Sequence, residues 1–284
     1  MKLQLIAIAI ALTSIQCSVD ETPSIEQENL DLVYKQELDL SKQLPNAVFD
    51  TSKKGLYVGT VATSDLSFHQ KIYVNIENDN STNAQISNDD GTLNYLQGRK
   101  LPSGNDEYIF SGDIGNFKLK LENNGVIITE ATLLNKEAVI NTVKSTSQNK
   151  AFATLGTFSG GPMTGTWDPI FTADGDNYAS TSVNIVRDGG SSFNVTTPSG
   201  TYTNVCTGGA GVYTTVYALA AASTGNQSTL LGENLEFTIV GAATDITDDC
   251  TSTPSEGLAI TTSTWSWNGI TGTITIDSES LPVF

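Results

Sequence analysis

The sequence predicts an all-β protein, with antiparallel β-sandwich or barrel modules following a signal peptide and an acidic, partly helical tether. Three observations predict it. From Gly55 onward apolar residues recur at every second position, the period of a half-buried antiparallel strand. Between these runs lie clusters of Gly, Asn, Asp and Ser, the residues that accept hairpin-turn backbone angles. Only 16% of the residues are charged, and Thr crowds the second half, where a β-branched side chain suits exposed strand positions.

Four segments follow: a signal peptide over 1–16, a tether over 17–52, a first β domain over 53–150 and a second over 151–284. Met1 and Lys2 begin the leader, and "LIAIAIALTSI" continues it with an apolar run. At about ten residues that run is too short for a bilayer, which takes about 20. Ser14, Ile15 and Gln16 make no small-x-small cleavage site, so the notable residue at the junction is Cys17. The junction resembles the lipobox of bacterial lipoproteins, although Gln16 stands where that pattern has a small residue. The resemblance implies that Cys17 becomes the acylated first residue of the mature chain. Two or more acyl chains hold a protein to a membrane where one binds only marginally. The implied location is the outer membrane or cell surface, with a periplasmic or secreted protein as the alternative. No later stretch is apolar for long enough to predict a transmembrane helix.

The tether carries eight acidic residues and two lysines between 18 and 52. Ser24 and Gln27 have capping-box spacing, and Leu30, Val33, Leu40 and Leu44 fall at helical spacing, so a solvated spacer with transient helix is expected.

In the first β domain Ile72, Val74 and Ile76 alternate with Lys71, Tyr73 and Asn75, and Phe117, Leu119 and Leu121 with Lys118, Lys120 and Glu122. "NDDG" (88–91), "SGN" (103–105) and "ENNG" (122–125) supply turns, and the stretch 134–145 reads as a short helix or a last strand. The second domain repeats the pattern in "STSVNIVRD", "GTYTNVC", "VYTTVYA", "LEFTIVG" and "GTITID". "YIFSGDIGNFKLKL" and "WSWNGITGTITI" echo each other, with Phe110, Gly112 and Gly115 matching Trp267, Gly269 and Gly272. Together with "GLYVG" and "KIYVNIENDN", the "FSGDIGNF" segment is similar to segments of exported flavobacterial-type lipoproteins, a likeness that implies no catalytic residues.

With Cys17 set aside, Cys206 and Cys250 form an even pair in an oxidising compartment and are expected to be disulfide-bonded. Beyond residue 150 Arg187 is the only basic side chain against 12 acidic ones, which excludes a phosphate-binding footprint and with it nucleic acid.

Catalytic signatures are missing. His69 is the only histidine, and alternation places it with Ser67, Lys71 and Tyr73 on the polar face of a strand, where a solvated ring is expected. Ser147 and Lys150 spell S-x-x-K without its companion motifs. Asp174 and Asp176 in "TADGDNY", with Asp245, Asp248 and Asp249 in "TDITDDC", could supply part of a calcium shell, which needs six to eight oxygens. Gly165 and Trp167 in "TGTWDP" resemble the G-x-W strand of lipocalin-like barrels, which implies a ligand cup over 160–284. The expected function is a cell-envelope lipoprotein with a non-catalytic binding or structural role toward a glycan or an envelope protein. A lipocalin-like carrier and a carboxylate-dependent hydrolase are the alternatives.

Overall fold

The computed structural model describes residues 39–88, 90–102, 106–122, 125–172, 177–187, 192–197, 200–207, 212–221, 235–243, 259–267 and 269–276. It is all-β, as predicted, and contains two sheets. The first is a closed eight-stranded antiparallel barrel of β1 (Gly55–Thr63), β2 (His69–Ile76), β3 (Thr82–Ser87), β4 (Leu93–Lys100), β5 (Glu107–Gly112), β6 (Gly115–Glu122), β7 (Gly125–Leu133) and β8 (Lys136–Ser145). Each strand pairs with the next in sequence, and β8 returns to β1 along a full register from Leu56 opposite Ser145 to Thr63 opposite Ala138. The stretch that sequence left open between helix and strand is β8, whose Val139, Ile140, Thr142 and Val143 are β-branched. Its hairpin turn holds Leu134 at φ 52° and Asn135 at φ 62°. Positive φ at both central residues is the two-residue turn whose twist matches a hairpin. β7 and β8 pair only beside that turn, through Thr132 with Glu137 and Leu133 with Lys136.

Alternation decides what fills the barrel. Ile72, Val74, Ile76, Ile86, Phe110 and Phe117 point inward and are fully buried. Phe110 stacks on Phe117 with ring centroids 4.7 Å apart and planes 8° apart. Burying each such side chain stabilises the fold by roughly 1.5–3 kcal/mol, and a small barrel's interior is just wide enough for side chains to fill it. Gly98 faces Phe110 across β4 and β5, and a Cβ at Gly98 would sit 2.6 Å from the Phe110 ring, so only glycine lets the ring lie flat there.

The second sheet has ten strands: β9 (Ala151–Ala153), β10 (Gly156–Gly160), β11 (Met163–Thr172), β12 (Asn177–Arg187), β13 (Ser192–Thr197), β14 (Gly200–Thr207), β15 (Val212–Ala221), β16 (Leu235–Ala243), β17 (Ala259–Trp267) and β18 (Ile270–Ile276). Its order is β13-β12-β14-β15-β16-β17-β18-β10-β11-β9, and an added pairing of β11 with β12 curls it. Two residue pairs, Asn177 with Thr201 and Tyr178 with Gly200, join β12 to β14. The echoed segments are both hairpins, but with different registers. Gly112 faces Gly115 in the first and Trp267 faces Ile270 in the second, so the turn falls two residues sooner after the matched aromatic.

Residues 40–52, the end of the expected tether, run along the barrel wall as a strap. Leu40 is buried and its N–H donates to Gln85 Oε1 at 2.7 Å. Gln43 Nε2 donates to Asp79 Oδ2 at 2.7 Å, and Asn46 N–H to Asn78 Oδ1 at 2.7 Å. Leu44, which shares helical spacing with Leu40, is exposed, because the backbone here makes a turn and then a 3-10 segment over Ala47–Phe49. The capping box at Ser24 and the apolar positions Leu30 and Val33 lie outside the described residues. Among the described residues no helix is long and apolar enough to cross a membrane.

Candidate functional site at the seam between barrel and sheet

β1 is buried along its whole length, which a barrel strand with one wet face would not be. Its inward Tyr57 and Val61 join the barrel core. Its outward Val58 packs in a second cluster with Ala151, Ala153 and Ile170, against which Tyr73 and Val143 also lie. The outer wall of β1, β2 and β8 is therefore covered by β9 and β11.

This corrects the reading of His69. The register holds, with Gln70, Ile72 and Val74 inward and His69, Lys71 and Tyr73 outward. The outward face, however, is closed by the second sheet instead of water. The His69 side chain is only 12% exposed, and its Nε2 lies 2.7 Å from Oδ1 of Asp168, itself 1% exposed. Asp168 reaches the seam because the even residues of β11 change surroundings along the strand: Thr164 is exposed, whereas Thr166, Asp168 and Ile170 are buried. Gly156 N–H also donates to Asp168 Oδ1 at 3.3 Å, while Oδ2 is buried without a hydrogen-bond partner among the described residues. Next to it, Thr154 N–H donates to the Pro169 carbonyl at 3.0 Å, which ties the start of the sheet to β11.

A carboxylate that orients an imidazole is one half of a nucleophilic machine, and the other half is a hydroxyl or thiol presented to the free ring nitrogen. Ser67 is the nearest described serine in sequence, in the turn before β2, and its hydroxyl is committed elsewhere. It donates to Asp65 Oδ1 at 2.8 Å and accepts from Lys136 Nζ at 2.7 Å. Lys136 also donates to Asp65 Oδ2 at 2.6 Å. Lys136 first, then Ser67 and Thr63, hold the Asp65 carboxyl well below the usual carboxylate range. The cluster clips the β1–β2 turn to the β7–β8 hairpin. Ser147 of the S-x-x-K match is equally occupied, donating through Oγ to Asp50 Oδ2 at 2.5 Å and through N–H to Oδ1 at 2.9 Å. These bonds from Ser147 lower the Asp50 pKa.

Of the other residues singled out by sequence, Trp167 is fully buried on β11, and Gly165 lies opposite Phe158. Cys206 is on β14 opposite Tyr213. The Cys206 side chain, Cys17, Cys250, Asp174, Asp176, Asp245, Asp248 and Asp249 lie outside the described residues. Among the described residues no group of three or more His, Cys, Asp or Glu could hold a metal. Asp168 was not singled out by sequence. The available signal was a single carboxylate inside "GTWDPIF", an otherwise uncharged strand in which a buried acid requires a partner.

Fold and seam together define a two-module antiparallel β protein, a filled barrel joined to a curled sheet across an apolar cluster and a buried histidine–aspartate contact. No family model, no curated protein and no solved structure matches the chain.

Proposed function

We propose that this is a cell-envelope lipoprotein, anchored to the outer membrane through acylated Cys17, that has a non-catalytic binding or structural role toward a glycan or an envelope protein. The observation that carries the non-catalytic part is the commitment of the only histidine to Asp168 at 2.7 Å within a closed seam. The filled first barrel supports it too, since it leaves that module a scaffold instead of a cup. A structural Cys206–Cys250 bridge belongs to the same reading and would stabilise the fold by roughly 3–4 kcal/mol in the chain-entropy model.

The test of the anchor is metabolic labelling with an alkyne fatty acid. Wild type is labelled and Cys17→Ala is not; equal labelling of both overturns the anchor. For the non-catalytic role, envelope polysaccharide is titrated into the unacylated Cys17→Ala chain with and without His69→Gln. Affinities within a few-fold of each other support it, and a hundred-fold loss with the fold intact overturns it. A second reading, a carrier of small apolar ligands, rests on the buried Trp167 and would place the ligand within the second sheet.

A further inference from the structure

Among the described residues the seam combines an apolar cluster with a buried histidine–aspartate contact. Val58, Ala151, Ala153 and Ile170 make its buried apolar part, and Tyr73 and Val143 flank it. Into this surface β11 brings a carboxylate whose Oδ1 meets His69 Nε2 at 2.7 Å and Gly156 N–H at 3.3 Å, and whose Oδ2 is buried with no hydrogen bond among the described residues. A buried carboxylate costs several kcal/mol unless paired and hydrogen-bonded, so the charge on the imidazole decides what closing the seam costs.

We propose that His69 and Asp168 form a proton-operated clasp between the barrel and the second sheet, tight when the imidazole is charged and loosened when it is neutral. On deprotonation the imidazolium gives one ring proton up to solvent, and the ring that faces Asp168 Oδ1 becomes neutral. The seam then encloses a net negative charge where it had enclosed a neutral pair. No other described group takes over the compensation. On the outward face of β2, Lys71 and Tyr73 follow His69, and the facing residues of β1, Leu56, Val58, Thr60 and Ala62, are uncharged. β9 and the start of β10 carry no titratable residue, and opposite Asp168 β12 places Ser182, with Asn184 following. Asp65 and Lys136 in the neighbouring turn neutralise each other. The closed seam therefore holds the histidine proton more tightly than the open one. Its stability is present below the ordinary histidine range and is lost as pH rises through it. This inference rests on the geometry of the seam and is independent of export or anchoring.

Because the chain has a single histidine, its ring resonances report the clasp directly in the full-length protein. The midpoint of the His69 titration by NMR is expected about one pH unit or more higher in wild type than in Asp168→Asn, a tenfold difference in proton affinity. The Ala151 amide, which donates to Ser145 Oγ at 3.0 Å between β8 and β9, reports opening. Its hydrogen exchange, corrected for intrinsic rate, is expected to rise about tenfold between pH 5 and 8 in wild type, as the same linkage requires. In His69→Gln it is expected to be pH-independent while the barrel amides stay protected. Equal midpoints in wild type and Asp168→Asn, or the same pH dependence of Ala151 exchange in His69→Gln, overturn the proposal. If Asp168→Asn does not fold, the exchange comparison decides alone.

Discussion

Trp265 lies directly across Gly272, its cross-strand partner on β18, and its indole Nε1 donates to the Ser159 carbonyl of β10 at 3.0 Å. The ring thus spans three strands and meets Phe158 edge-on at 5.4 Å. A Cβ at residue 272 would fall 2.2 Å from Nε1 and 2.3 Å from the Ser159 oxygen, a gap that no rotamer of Trp265 in its present place can relieve. Gly272→Ala is therefore expected to destabilise the protein by about 1–3 kcal/mol, the usual range for overpacking a well-filled core. Denaturant unfolding followed by tryptophan fluorescence checks this, and an unchanged midpoint would refute it.

Tyr57 predicts the alkaline limit of the fold. Burial first, and the neighbouring Tyr108 second, push its phenol from 10.0 to about 12. A group whose folded pKa is raised contributes stability that is complete below pH 10 and is lost as pH climbs toward 12, here roughly 2–3 kcal/mol. Tyr57→Phe removes this pH dependence together with the hydrogen bond to the Lys53 carbonyl at 2.6 Å. Unfolding midpoints measured at pH 9 and pH 11 should differ less in the variant than in wild type.

One side chain binds the middle of the strap at two points. Asn78 accepts from Asn46 N–H at 2.7 Å and donates through Nδ2 to the Leu44 carbonyl at 3.0 Å. Asn78→Ala should cost about 1–3 kcal/mol, since it removes two part-buried hydrogen bonds at about 0.5–1.5 kcal/mol each, and should open residues 40–52 to limited proteolysis. Next to it, burial raises the pKa of Asp79, but hydrogen bonds from Ser81, Asn75 and Gln43 lower it and prevail. A lowered carboxylate stabilises above its unfolded range, so strap protection should fall as pH drops through that range and should vary less with pH in Asp79→Asn.

Lys144 fastens the other end of the strap. Its ammonium donates to the carbonyls of Phe49 at 2.5 Å, Asp50 at 3.2 Å and Ser52, a ring of oxygens that has no other cation among the described residues. Burial lowers its pKa, against the opposing charge of Asp50. Lys144→Met keeps most of the aliphatic stem and should still lose about 1.5–3 kcal/mol, the range for hydrogen bonds to a charged group. Thermal unfolding of the variant beside wild type checks this.

Much of the architecture was legible in local pattern. Period-two alternation assigned Ile72 and Val74 to one face and His69, Lys71 and Tyr73 to the other, because side-chain direction in a strand depends only on position parity, and turn residues placed the β3–β4 and β6–β7 hairpins. Burial of Trp167 was legible too, as a large aromatic inside an apolar strand. The sequence by itself determined strands, faces and the all-β class. Only the tertiary structure decided between sandwich and barrel, since closure rests on pairing Leu56 with Ser145, far apart in the chain. It also decided what each face meets: the outward side of β2 is polar by composition, yet β9 and β11 cover it and bring Asp168 to His69. Alternation tells which way a side chain points, while the medium it points into is set by the long-range packing of one sheet on another, which no local period records.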